Sequence, residues 1–314
     1  MKKFAALLLA LTTVLSLAAC GQKKTQLKIL DTEYAIEDYA IAIAKENTAL
    51  LDEVNAALAA ITADGTAQKI VDKYISGKDH DLTFQADAEG KPELIMATNA
   101  FFPPYEFYEN DTVVGIDAEM AAAIADQMGR KLTIVDTEFG SIIGGVQTGK
   151  YDMGMAGMTV TEERQQSVNF SDSYATGVQV VILTEDSPIK SLDDLLDAGA
   201  SYKAGVQQDT TGDIYLSDTP DNGGIGEDRV IRYKTGNEAV QALLTGKVDC
   251  VVIDNEPAKA YVAANDGLTL LEGTWVTEDY AIGIKKGNTQ LLDAVNGALK
   301  ELIADGTVKG IVDK

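Results

Sequence analysis

Histidine, cysteine and positive charge are all scarce in this chain. One histidine, His80, occurs in 314 residues, inside the polar run GKDHDL. That argues against Ser-His-Asp catalysis, Cys-His catalysis and His-rich metal sites, so no metal or cofactor is expected. Lysine and arginine number 26 against 49 acidic residues, a net charge of −23. Nucleic-acid phosphates would be repelled, so no nucleic-acid partner is expected. The two cysteines are Cys20 and Cys250. Cys250 lies in the apolar run VDCVVID and reads as a small buried hydrophobe. Beyond the first residues no apolar run is long enough to span a membrane.

What the chain does have begins with a leader. Lys2 and Lys3 precede an apolar stretch from Phe4 to Leu17, which ends in Leu-Ala-Ala-Cys-Gly. Small residues before a cysteine here resemble a bacterial lipobox, with residues 1–19 as signal peptide and Cys20 as the lipidated N-terminus. The alternative is ordinary secretion with a chance cysteine. More than one acyl chain suffices for stable anchoring. The mature protein is therefore expected on the outer face of the cell membrane, tethered by residues 20–26.

The body alternates strand and helix. Leu94–Ala97, Leu132–Val135 and Met153–Met155 read as strands, with Ile116–Met128 and Ile142–Thr148 as helices between them. A second series follows. Val178–Leu183, Lys203–Val206, Val230–Tyr233 and Cys250–Ile253 read as strands, Ser191 caps a helix, and Asn237 caps another over Glu238–Leu244. Such alternation predicts an α/β fold with helix-covered parallel sheets. The series echo each other: Thr148-Gly149-Lys150-Tyr151-Asp152 and Thr245-Gly246-Lys247-Val248-Asp249 each place a helix-ending glycine just before a strand. Two lobes follow, one of residues 92–181 and 275–314, the other of 182–274, joined by extended crossovers near 179–185 and 273–279.

A repeat cuts across this plan. Residues 37–73 match 278–314 without a gap at 24 of 37 positions. The helical apolar stripe Leu50, Leu51, Val54, Leu58, Ile61 recurs as Leu291, Leu292, Val295, Leu299, Leu302. About 50 residues rarely bury a core alone, so segment 27–77 must dock, swap or stay loosely ordered. A recombination scar is the favoured origin, although the kept stripe suggests a segment that still folds. A polar linker, 78–91, separates it from the rest.

Chemistry gathers at the strand ends. Gly157-Met158-Thr159 is followed by Arg164, a hydroxyl and a guanidinium suited to one carboxylate. In open α/β sheets ligands bind beyond the carboxyl ends of strands. Other ends carry Thr98-Asn99-Ala100-Phe101-Phe102-Pro103-Pro104-Tyr105-Glu106-Phe107, then Gln207-Gln208-Asp209-Thr210-Thr211, and Asp254.

These motifs, with VVGIDAEMAAAIADQMG, GKVDCVVIDNEPA and TEDYAIGIKKGNTQLLDAVNGALKELIADGT, resemble the polar amino-acid binding proteins of ABC importers. The resemblance runs from about Pro92 to Lys314. It implies a two-lobed type II periplasmic-binding-protein fold with a ligand cleft between lobes. It implies that Arg164 clamps an α-carboxylate, with Thr159 beside it and the Gly157 backbone in contact. Thr210 and Thr211 would stand at a helix start, Asp254 would take an α-ammonium, and Phe102 and Phe139 would form walls. Asn99 replaces an aspartate frequent in binders of basic side chains. That substitution points toward a polar uncharged ligand, since an amide cannot balance a buried cation.

The implied partners are a small amino acid, ABC permease subunits and the membrane. A monomer is expected, with a swapped dimer as the alternative. An enzyme of the cyclohexadienyl dehydratase kind would need an acid–base pair, and none stands out among these motifs. A sensor would continue past Lys314 into a membrane span.

Overall fold

A computed structural model describes residues 27–31, 36–265 apart from 79, 81 and 86–88, and 271–272. The leader, Cys20, the tether and residues 275–314 assigned to the first lobe lie outside the described residues.

The N-terminal repeat copy is docked. Strand β1 (Leu27–Asp31) precedes it, and the copy supplies β2 (Ile36–Tyr39), β3 (Ala42–Ala44), α1 (Thr48–Ala63) and α2 (Thr66–Ile75). Asn47 caps α1 by accepting from the Leu50 N–H at 3.3 Å. Gly65, at φ 80°, makes the turn between the helices. Leu50, Val54, Leu58 and Ile61 of α1 are buried, as the repeated stripe predicts. Burying each such side chain is worth roughly 1.5–3 kcal/mol.

Lobe 1 continues with β4 (Glu93–Thr98), β5 (Phe101–Phe102), β6 (Glu106–Glu109), β7 (Thr112–Val114), α3 (Ile116–Gln127) and β8 (Lys131–Asp136). Then come α4 (Ile142–Gln147), β9 (Met153–Gly154), α5 (Glu162–Ser167) and β10 (Val168–Phe170). The main sheet has the order β10-β3-β9-β4-β8. β4 runs parallel to both β8 and β9, while β3 is antiparallel to β9 and β10. An interior strand of lobe 1 is thus contributed by the N-terminal copy. Helices α1 and α2 cover α3, and Arg130 and Glu53 pair at 2.7 Å. The copy is therefore an integral part of this lobe, whatever its origin. The linker after it is less detached than its polarity suggests, since Leu82 and Phe84 pack against the core.

The ten-residue β11 (Ala175–Thr184) leads into lobe 2. There follow α6 (Leu192–Leu196), β12 (Ala204–Gln207), α7 (Thr211–Ser217), β13 (Val230–Tyr233), α8 (Gly236–Leu244), β14 (Cys250–Asp254) and α9 (Asn255–Ala264). The short β15 (Leu271–Glu272) pairs in parallel with β1. The sheet order is β13-β12-β14-β11-β1-β15, and β2 also pairs with β11. Ser191 caps α6 through a reciprocal capping box, as expected. Helix α8 starts two residues earlier than predicted: Thr235, not Asn237, is its cap. Both residue types cap well, and only the backbone decides between them. Cys250 is fully buried and unpaired.

The two echoing motifs have one structural meaning. Gly149 and Gly246 end α4 and α8 at φ 73° and 70°. Each following aspartate then ties its lobe's first strand: Asp152 Oδ2 accepts from Ile95 N at 2.7 Å, and Asp249 Oδ2 accepts from Lys203 N at 2.7 Å.

Candidate functional site

The strand ends of both lobes meet in a cleft with about 320 Å³ of space free of atoms. Its lining includes all nine residues expected there: Asn99, Phe102, Phe139, Gly157, Thr159, Arg164, Thr210, Thr211 and Asp254. Several hydrogen bonds bridge the lobes. Gln207 Nε2 donates to Asn99 Oδ1 at 2.9 Å, Arg164 Nη2 to the Asp209 carbonyl at 3.0 Å, and Tyr261 Oη to the Phe101 carbonyl at 2.6 Å. These bonds hold the lobes together in a closed arrangement.

Arg164 is positioned by α5, where Thr161 caps the helix by accepting from the Arg164 N–H. The guanidinium is buried, donates to the Thr159 carbonyl at 2.9 Å, and lies 5.3 Å from the Phe139 ring centroid. Burial lowers its pKa, and nearby Glu37 opposes that shift. The remaining guanidinium N–H groups can serve a carboxylate bidentately.

Gly157 has φ 51°, and a Cβ there would lie 2.7 Å from Phe102 Cε1. Only glycine lets this strand end pass against that ring. Its N–H is already used, donating to Asp117 Oδ2 at 2.8 Å. Of the expected Gly157 backbone contacts, only the carbonyl is left.

Thr210 caps α7 and its hydroxyl donates to the Gln207 carbonyl at 2.8 Å. Thr211 opens the helix, where free N–H groups favour negative charge. Asn99 is committed at both ends, donating to the Thr137 carbonyl at 2.8 Å and accepting from Gln207. Asp254 ends β14 with its carboxyl buried. Although it precedes α9, its side chain makes no capping bond. Burial first, and Glu37 second, push its pKa up to about 7.

Two acids and a phenol complete the site beyond the residues expected there. Tyr39, fully buried, donates its hydroxyl to Asp254 Oδ1. Glu37 Oε2 accepts from Thr159 Oγ1 at 3.1 Å and from Gln179 Nε2 at 3.0 Å. Both come from the N-terminal copy, so their place could not be read from local pattern. The repeat itself was the signal, because it brings the family-like stretch EDYAI to a second position.

Glu106 is the second acid. It lines the cleft, is fully buried, and neither carboxyl oxygen has a hydrogen-bond partner when both it and Asp117 are ionised. Burial raises its pKa well above the usual range, and the facing Asp117 adds to this. Burial pushes Asp117 up to about 6, against the N–H of Gly157 and the hydroxyl of Tyr174, which favour its ionised form. A proton shared between the two carboxyls relieves their repulsion and gives Glu106 a partner. In sequence, Glu106 falls in the strand-end segment Thr98–Phe107, where nothing local singles it out for a role of its own.

Chemically the cleft offers a guanidinium at one side, carboxyls at another, aromatic walls and a closed lobe interface. That suits a small zwitterion.

Comparison with known proteins agrees. Residues 94–314 match the sequence pattern of the bacterial extracellular solute-binding proteins, family 3. The arginine-binding extracellular protein ArtP of Bacillus subtilis is 32% identical over 228 residues, covering 72% of this chain and 86% of that one. The L-arginine-binding protein of Pseudomonas aeruginosa is 30% identical, covering 74% and 89%. A solved structure of truncated, arginine-bound ArgBP from T. maritima is 37% identical, with TM-score 0.53, covering 67% of this chain and 96% of that one. The chain belongs to the bacterial extracellular solute-binding proteins, family 3, and is a two-lobed type II binding protein rather than an enzyme.

Proposed function

We infer that the protein captures an amino acid with a cationic side chain, of the arginine class, and delivers it to an ABC permease. The observation that carries this reading is Glu106, a buried carboxyl in the cleft wall that has no cation beside it among the described residues. A guanidinium seated there would supply the missing donors and draw off the proton shared with Asp117. The arginine-binding relatives favour the same class. Asn99 pointed toward an uncharged ligand. Its amide is occupied by Thr137 and Gln207, so the choice of side chain passes to Glu106.

In this reading Arg164 and Thr159 take the α-carboxylate, Asp254 the α-ammonium, and Phe102 and Phe139 flank the stem. Thr159 must then turn its hydroxyl from Glu37 to the ligand. Thr210 and Thr211 close over the carboxylate from lobe 2. Hydrogen bonds to charged groups contribute roughly 1.5–3 kcal/mol each. After closure and ordering costs, about −7 to −10 kcal/mol remains, near micromolar or tighter. Cys20 would carry the lipid that holds the protein, as a monomer, beside its permease.

Calorimetry with arginine, lysine, glutamine and cystine tests the ligand class. Arginine should bind tightest, and Glu106→Gln should weaken arginine by about tenfold or more, the worth of one charged contact, while sparing glutamine. Unchanged arginine affinity in that variant, or a wild-type preference for glutamine, would remove the cationic assignment. Loss of membrane association in Cys20→Ser tests the anchor separately.

A further inference from the structure

Residues 37–73 hold a place in lobe 1 for which the chain carries a second candidate, residues 278–314, identical at 24 of 37 positions. We propose that this place is a seat for either copy, the two being exclusive alternatives within one molecule.

The first argument is where the copies differ. Twelve residues of the docked copy are buried: Glu37, Tyr39 to Ile43, Leu50, Val54, Ala57, Leu58, Ile61 and Ile70. Ten of these recur unchanged in the second copy; only Ala42 (Gly283) and Ile61 (Leu302) differ. Gly283 is smaller than the alanine it replaces beside Gly154, and Ile-to-Leu keeps its volume. The other eleven of the 13 differences fall on exposed or half-exposed positions. A segment released from packing would have no reason to keep its buried face alone. Both polar residues that bond to cleft-lining groups, Glu37 to Thr159 and Tyr39 to Asp254, are also kept, as Glu278 and Tyr280. The cleft would therefore have the same chemistry with either occupant.

The second argument is where the copies branch. Strands β1 and β15 lie side by side in parallel, with Leu30 opposite Leu271 and Asp31 opposite Glu272. That register is an offset of 272 − 31 = 241, and the repeat has the same offset, 278 − 37 = 241. Each strand therefore stands six residues before its copy, at matching positions. Adjacent strands are about 4.8 Å apart, so the described branch points Asp31 and Glu272 lie within one strand spacing of each other. The repeat also reaches back further than its identities suggest: LKILD of β1 corresponds to LTLLE, residues 268–272.

The third argument is that the family's own sequence pattern extends to residue 314, so the second copy carries the stretch by which relatives are recognised. Within the repeated span the first copy has an ion pair that the second lacks: Glu53 pairs with Arg130 at 2.7 Å, where the second copy has Ala294. An exposed pair of this kind is worth only about 0.2–1 kcal/mol, too little to exclude exchange.

Disulfide trapping tests this without any ligand. Asp38 and Thr176 are exposed and directly opposite in the β2–β11 pair. Asp279 is the counterpart of Asp38. Two full-chain variants, D38C/T176C and D279C/T176C, are prepared in mature form with Cys20→Ser and oxidised slowly in glutathione buffer. Peptide mapping and denaturing mass then show which cysteines have joined. The expected result is an intramolecular disulfide in both variants, each losing its two engineered thiols. A D279C/T176C protein that keeps its thiols while D38C/T176C is fully joined would overturn the proposal. So would a D279C bridge found only between two molecules.

Discussion

The phenolic hydroxyl of Tyr39 donates to the carboxyl of Asp254, linking the N-terminal copy to the end of β14 in the other lobe. That bond opposes the upward shift of the Asp254 pKa, since it favours the ionised form. Tyr39→Phe should therefore raise the Asp254 pKa further and reduce the fraction ready to meet an ammonium. Arginine affinity at pH 7 should fall severalfold, about the worth of part of one charged hydrogen bond. At pH 9, where Asp254 is ionised in both proteins, most of the difference should vanish. Calorimetry at the two pH values checks this, and an equal loss at both would assign Tyr39 a packing role only.

Asp254 itself gives a prediction of opposite sign for stability and for binding. Its folded pKa is raised from 3.8 to about 7. Between those values the folded protein holds a proton that the unfolded chain has released. The group's contribution to stability is thus fully present below 3.8 and is lost as pH rises through about 7. Asp254→Asn removes the buried charge, and at pH 8 its ligand-free Tm should exceed wild type by a few degrees while ligand binding disappears. Wild-type binding should also release protons near pH 7, read as a dependence of binding heat on buffer ionisation enthalpy. A lower Tm for the variant at pH 8 would contradict the raised pKa.

Gly157→Ala probes the close approach of lobe 1's strand end to Phe102. The residue sits at φ 51° and the added methyl would lie 2.7 Å from the ring. Left-handed strain and the clash together should cost about 2–4 kcal/mol of stability. Because the displaced ring is a cleft wall, affinity should drop as well. Denaturant unfolding measures the first effect and calorimetry the second. A stability change under half a kcal/mol would mean that the ring moves freely.

The motif residues were legible because each stands at the end of a strand that alternation alone locates. Thr159 and Arg164 follow β9, Thr210 and Thr211 follow β12, and Asp254 ends β14. What escaped notice depends on contacts far apart in the chain. The Gly157 N–H is taken by Asp117, forty residues earlier. Glu106 belongs to the cleft only because β6 folds back against α3. Glu37 and Tyr39 reach the site through β2 pairing with β11, over 130 residues away in sequence. The repeat was visible at once, yet its role needed the sheet order, in which β3 lies between β9 and β10. Helix ends were read to within a residue or two, as at Thr235, since Thr235 and Asn237, two cap-forming residues two positions apart, cannot be ranked without the backbone.

Glu37→Gln offers the sharpest separation of charge from shape. The Glu37 carboxylate is the second cause of the raised Asp254 pKa and a favourable partner for Arg164. Glutamine keeps the length and one oxygen for the hydroxyl of Thr159 or the amide of Gln179. With the negative charge gone, Asp254 should ionise at lower pH, and the acid limb of arginine binding should move in the same direction. Arg164 would lose the carboxylate that most favours its charge and meet the ligand carboxylate without that competition. Affinities measured from pH 5 to 8 should therefore show the variant holding its affinity further into acid than wild type. The same profile for both proteins would mean that Glu37 does not govern the charge on Asp254.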